Sequence, residues 1–253
     1  MARLTRQSEL SIEPPIITND AAQRSCSSRN RSANQMDVSS IIKASIDVYR
    51  NLAFYEDHGY VSSESIEADS SEISNSITFE TRYSKTTGLT LSWFGKPDSL
   101  FSRIADSIEI CTNKKAFIKV KQKVRKKCSP EQALTIAGAG GGGDVGLIIP
   151  PLLLLDTTPL PKPFSLHSVT MAKLDGIAIV DDLECYRVKV LLSNQPWVGT
   201  YFISQSDFLI RKFESQRKLD IPKEKQQGLP DDLVGSFPKT TCSKMWFKDL
   251  KTN

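Results

Sequence analysis

From Ser76 to Phe94 apolar and polar side chains alternate with period two, and that alternation restricts the fold more than any other feature of the chain. Ile77, Phe79, Thr81 and Tyr83 share one face of an extended segment, while Ser76, Thr78, Glu80 and Arg82 share the other. Thr86-Thr87-Gly88 reads as a turn, after which Leu89, Leu91 and Trp93 alternate against Thr90, Ser92 and Phe94, so the two runs form a hairpin. A third run, 118–125, sets Ile118, Val120 and Val124 against Lys119, Lys121, Lys123 and Arg125 and predicts one strand with a basic outer face. Strand-like runs return at 166–174, 177–180, 184–192, 200–204 and 208–215, with turns expected at Asp175-Gly176 and Ser193-Asn194.

Helical periodicity is confined to short stretches. Val38, Ile41, Ile42, Ser45, Ile46, Tyr49 and Leu52 recur at helical spacing over about 36–52, with Asn34 or Asp37 available as the N-cap. Residues 131–137 favour helix after Ser129-Pro130. Gly138–Gly143 is expected to be loop, because glycine runs carry the largest entropy cost in a regular element, and a short apolar segment, 147–155, follows. Strands that succeed one another, with few helices between, predict an α+β, mostly antiparallel β fold with helices packed on one face. Residues 1–33, built from Ser, Arg, Asn and Pro, read as a disordered leader without the basic-then-apolar pattern of a secretory signal. One domain is expected over 34–216, followed by a polar segment, 217–253, that would hold any remaining edge strands and has Met245-Trp246-Phe247 as its apolar cluster.

Composition narrows the chemistry. With 253 residues, 39% hydrophobic and 33 Lys+Arg against 29 Asp+Glu, the chain suits a soluble core-forming protein and excludes collagen-like, coiled-coil and polytopic membrane classes. Its longest apolar stretch, 145–155, is broken by Pro150-Pro151 and falls well short of the roughly 20 residues that span a bilayer. The five cysteines form no close pair, so they define neither a zinc site nor a disulfide framework, and their redox state stays open. Gly138, Gly140 and Gly143 match G-x-G-x-x-G but follow a helix instead of a strand, and Asp144-Val145 stands where a phosphate loop needs Lys-Ser/Thr. His58 lies beside Glu56 and Asp57, yet Asp57 points to the opposite face of a strand, and neither it nor His167 accompanies a nucleophile motif. No catalytic residue, metal site or cofactor is therefore expected. The run Lys114, Lys115, Lys119, Lys121, Lys123, Arg125, Lys126 and Lys127 contains no acid and would attract a polyanion, with Lys119, Lys121, Lys123 and Arg125 as the contacts. Phe117 alone is available for stacking, which argues against nucleic acid. An anionic membrane surface, an acidic partner or an edge strand guarded by lysines all fit.

Several stretches together resemble a known family. Asp47-Val48-Tyr49-Arg50-Asn51-Leu52, Tyr55-Glu56-Asp57-His58-Gly59-Tyr60-Val61 and Phe79-Glu80-Thr81-Arg82-Tyr83 are similar to the LolA/LolB-like outer-membrane lipoprotein-sorting proteins and their uncharacterised bacterial relatives. So are the 133–155 stretch, which looks like a helical insertion of those relatives, and Asp182-Leu183-Glu184-Cys185-Tyr186-Arg187-Val188, Tyr201-Phe202-Ile203 and Leu209-Ile210-Arg211-Lys212. The resemblance spans about 36–216. It implies an antiparallel sheet curled into an unclosed barrel, helices plugging its mouth, a concavity that holds acyl chains of lipid or lipoprotein, and a place in the periplasm or cell envelope. On that reading Ile77, Phe79, Tyr83, Leu89, Leu91 and Trp93 bound the concavity and 131–155 gates it, with Gly138–Gly143 as hinge. The same side chains can equally fill a solid core. A scaffold protein holding an anionic partner or membrane surface through 114–127 is the alternative, and the oligomeric state is open.

Overall fold

Two meanders meet at the ends of the chain. The computed structural model describes residues 36–66, 72–94, 105–113, 115–121, 123–140, 145–155, 166–192, 197–218 and 240–253. The expected leader, Gly141–Gly143 and the Ser193-Asn194 turn lie outside these residues. After helix α1 (Val38–Asn51) come β1 (Phe54–Ile66), β2 (Glu72–Ser84), β3 (Gly88–Phe94), β4 (Ser107–Cys111), β5 (Ala116–Val120) and β6 (Lys123–Cys128). Helix α2 (Pro130–Gly140), a 3-10 turn (Val145–Leu147), helix α3 (Pro150–Leu153) and a second 3-10 turn (Leu166–Ser168) follow. The second meander is β7 (Val169–Val180), β8 (Leu183–Leu192), β9 (Trp197–Ser204), β10 (Ile210–Lys218) and β11 (Thr240–Thr252).

Among the described residues these eleven strands form one sheet in the order β6-β5-β4-β3-β2-β1-β11-β10-β9-β8-β7, each neighbour antiparallel. The edges β6 and β7 do not pair, so the barrel is unclosed, and α2 and α3 lie between those two strands in the chain. The expected α+β, mostly antiparallel class holds. Inward-facing side chains from both meanders join α1, α2 and α3 in one apolar cluster, and this places the core on the concave face.

Asp37 supplies the N-cap of α1. Its carboxylate accepts the Ser39 and Ser40 amides at 2.9 and 3.0 Å and the Ser40 hydroxyl at 2.6 Å, bonds that lower its pKa. The helix buries Ile41, Ser45 and Tyr49, and the Tyr49 hydroxyl accepts the Ile210 amide of β10 at 3.0 Å, tying α1 to the second meander.

The structure corrects four expectations. The basic run 118–125 is a hairpin, β5 and β6, and Lys121 occupies the turn with φ 49°. Periodicity cannot register a tight reversal between two strands that both continue the alternation. Asp175-Gly176 is a bulge inside a continuous β7, where the register shifts between Leu174 and Ile177 and Gly176 takes φ 95°. Helix α2 runs through Gly138 to Gly140, because a side chain at Gly138 would meet Leu147 Cδ1 at 2.8 Å, and packing against the next turn outweighs the entropy cost. Finally, the described part of the C-terminal segment is not at an edge: β11 lies in the middle of the sheet, between β1 and β10.

Gly59 of β1 is central to the join. It pairs with Phe79 on one side and Phe247 on the other. A Cβ there would lie 2.6 Å from Phe79 Cε1 and closer still to Phe79 Cζ and the Trp246 carbonyl, so the Phe79 ring lies in the space a side chain would take. That ring meets Phe247 edge-on, with centroids 5.7 Å apart. Gly59→Ala is expected to cost about 2–3 kcal/mol through overpacking, read as a lower urea midpoint with unchanged slope. An unshifted midpoint would contradict this packing.

Candidate functional site

Period-two alternation puts the six candidate ligand residues on the core-facing side of β2 and β3, where Phe79 pairs with Trp93 and Tyr83 with Leu89. Phe79, Tyr83, Leu89, Leu91 and Trp93 are buried within the apolar cluster, and Ile77 packs against it half-buried. The concave face is occupied by the chain itself: Val145, Leu147, Ile148, Ile149 and Leu152 to Leu154 are buried in the same cluster. Gly146 allows that packing, since a Cβ there would lie 2.7 Å from both Ala137 Cβ and the Leu134 carbonyl of α2.

Open space remains at one end of this plug. A cavity of about 260 Å³ has buried walls formed by Tyr83, Gly88, Ile110, Leu153 and Leu154. Of the six candidates, Tyr83 contributes to it. Its exposed rim is Arg50 from the last turn of α1, Lys85 from the β2–β3 turn and Thr112 after β4. Lys85 Nζ donates to the Asn51 carbonyl at 3.5 Å. Sequence reasoning missed these three rim residues, because Arg50 and Lys85 are 35 positions apart and an isolated cation in a turn carries no pattern. A second, shallower cavity of about 300 Å³ separates the outer side of α1 (Val38, Ile42, Ile46) from Leu166, Val169 and Ala172.

A chain of buried polar groups links α1, β1 and β2. Asp57 faces inward, opposite Thr81, while His58 faces outward with Nε2 3.4 Å from Glu80, as strand alternation requires. The Tyr55 hydroxyl donates to Asp57 Oδ2 at 2.6 Å, and the Thr81 amide donates to Oδ1 at 3.1 Å. The Tyr49 and Tyr55 rings lie 5.7 Å apart. Burial pushes the Asp57 carboxyl up to about 6, against the hydrogen bonds that favour its charge, and burial raises Tyr55 as well. The Thr81 side chain hydrogen-bonds the same carboxyl. Burial also pushes the Cys185 thiol up to about 11 and raises Cys111 and Cys128, the opposite of activation. Among the described residues no group of three or more His, Cys, Asp or Glu could hold a metal ion.

The four candidate anionic-surface residues are dispersed by the β5–β6 hairpin. Lys119 is ion-paired with Glu109, the Lys121 amide donates to the Asp106 carboxylate, and Lys123 and Arg125 are exposed on edge strand β6 together with Lys126 and Lys127.

No protein-family profile matches the chain, and no curated protein matches it. Among solved structures it is similar to a LolA superfamily protein from Nitrosomonas europaea, at 11% identity over 86% of this chain and 94% of that one, with a TM-score of 0.35. The lipoprotein LppX of Mycobacterium tuberculosis is similar at 8% identity over 85% and 96%, with a TM-score of 0.36. The Pseudomonas aeruginosa MucA/MucB complex gives 14% identity over 86% of this chain, which spans 58% of the matched one, with a TM-score of 0.38. Similarity at this level assigns no residue a role here.

Because the folded Asp57 carboxyl titrates near 6 and an unfolded aspartate near 4, the folded state binds the proton more tightly. That contribution is full below about pH 4 and is lost as pH rises through 6, about 3 kcal/mol in all. Asp57→Asn is expected to flatten the stability profile across pH 4–6 in urea titrations; an unchanged slope would contradict the burial argument.

Proposed function

We propose that the protein binds or carries acyl chains of lipid or lipoprotein without catalysis, in the concavity of its unclosed sheet. The observation that supports this reading is the graded cavity beside the Leu-rich plug, apolar where it is buried and polar where it meets solvent. A dry apolar cavity of about 150 Å³ holds a benzene molecule, so the space here suits a chain of roughly eight to ten carbons. At about 0.8 kcal/mol per buried methylene, eight give about 6 kcal/mol, which after the cost of association makes a weak, exchangeable complex suited to carriage. Release of the plug from the core would extend the site along the face carrying Leu89, Leu91 and Trp93. A place in the periplasm or cell envelope suits such a carrier, and among the described residues no helix is long and apolar enough to cross a membrane.

Native mass spectrometry of the purified protein, with lipid extraction from the same sample, is expected to find co-purifying acyl lipid, and the stripped protein should take up one equivalent of a fluorescent fatty acid. An empty protein that takes up none would refute the reading.

The exposed cations of β6 support a second one, docking on an anionic membrane surface. Reversing Lys123, Arg125, Lys126 and Lys127 to Glu should abolish co-sedimentation with phosphatidylserine vesicles and leave fatty-acid uptake unchanged. If co-sedimentation persists, β6 is only a protected edge.

A further inference from the structure

We propose that the protein associates as a two-fold dimer through β7, the second copy's β7 adding to it as an antiparallel strand. Among the described residues β7 pairs with β8 alone, so its other side is an unpaired row of backbone donors and acceptors. The two edges of the sheet differ in how they meet solvent. On β6 Lys123, Arg125, Lys126 and Lys127 are exposed, as on an edge guarded against pairing. On β7, whose 12 residues include one cation, Lys173, and one acid, Asp175, large apolar side chains are exposed instead: Met171 at 65%, Ile177 at 58% and Ile179 at 65%.

The register of β7 shows what would pair with it. Ala172 and Leu174 oppose the buried core residues Val190 and Val188 of β8 and face inward, with Val169 packed on the same side, while Met171 and Lys173 face outward. The Asp175-Gly176 bulge counts as one outward position, after which Ile177 and Ile179 face inward and Ala178 outward. A two-fold axis through Leu174 then sets apolar against apolar and charge against opposite charge. Inside, Ala172 meets Ile177 and Val169 meets Ile179 of the second copy; outside, Met171 meets Ala178 and Lys173 meets Asp175, each pair occurring twice by symmetry. Asp175 already accepts from Arg187 at 2.6 Å, and a carboxylate has acceptor sites for both cations. Moving the axis by one position would set Lys173 against Lys173 or Asp175 against Asp175, so charge selects the register.

The shallow cavity beside α1 acquires an occupant in the same arrangement. Val169 and Ala172 line it together with Val38, Ile42 and Ile46. The second copy's Ile177 and Ile179, paired with those two β7 residues, enter that space of about 300 Å³, and the symmetry repeats the exchange in the other copy.

The test is sedimentation velocity of the full chain over a dilution series. A reversible dimer with a dissociation constant on the order of micromolar is expected, since one strand pair makes a small interface. Ile179→Lys should make the protein monomeric, and because the position is exposed the thermal midpoint of dilute protein should not move. Lys173→Glu and Asp175→Lys, each alone, set like charges opposite one another and should weaken the dimer about tenfold or more. Mixed in equal amounts, the two variants should form a heterodimer as tight as the parent, because the axis places each substituted position opposite the other. Hydrogen exchange should slow with concentration over 169–180 and not over 123–128.

A chain that stays monomeric up to roughly 1 mM would overturn the proposal. So would a dimer that survives Ile179→Lys, protection that falls on 123–128, or folded charge variants that fail to recover on mixing. If Asp175→Lys loses its thermal midpoint beside Arg187, Ile179→Lys and the exchange pattern decide the matter. None of these outcomes depends on acyl binding.

Discussion

The pairing of β1 with β11 is the contact on which the rest of the structure depends. It joins the first strand of one meander to the last of the other, and without it the sheet would split into halves with two more unpaired edges. Both faces of the pair are secured. Inside, Phe79 lies across Gly59 against Phe247, with Val61 opposite Met245. Outside, Tyr60 stacks on Trp246 with centroids 4.3 Å apart, Lys248 lies over Tyr60 and Lys212 over Trp246. At its end Asn253 Oδ1 accepts the amides of Ala53 and Phe54 at 3.1 and 2.9 Å. Closing so long a loop before any of these contacts forms is an entropic obstacle, which makes a slow, cooperative folding step the natural consequence.

Given that join, the concave face must be covered, and the insertion between β6 and β7 covers it. Leu147 to Leu154 is apolar on every side because it is surrounded: the sheet lies on one side, and α1 and α2 on the others. Such a segment does for the sheet what an acyl chain would do, removing apolar surface from water without a directional bond. The cavity lies where this covering stops, beside Leu153 to Leu155, so its inner wall inherits the apolar character of the core and its rim the polarity of the surface. The Asp57 chain belongs to the same interior but to a different chemistry. Its bonds to Tyr55 and Thr81 satisfy a buried carboxylate between paired strands.

Much of the local structure was legible because it follows from side-chain period. The β2–β3 hairpin, α1 and the antiparallel class all come from spacing that any core-facing strand or helix must keep, and the six candidates from Ile77 to Trp93 were placed on the correct face for that reason. Spacing could not distinguish core from cavity wall. Phe79, Leu91 and Trp93 are packed in the core, while Tyr83 borders open space beside Leu153 to Leu155. The basic run misled for a related reason, since a turn at Lys121 preserves the alternation on either side of it.

The sequence by itself determined which residues of the β2–β3 hairpin face inward, that α1 starts at one of two capping residues, Asn34 or Asp37, and that successive strands pair with one another, because these depend on backbone geometry and contacts between near neighbours. Tertiary structure alone decided that β11 is a central strand, that Arg50 and Lys85 share a rim, and that a Leu-rich insertion fills the concavity. Each of these joins residues far apart in the chain, and their meeting depends on how the whole sheet closes.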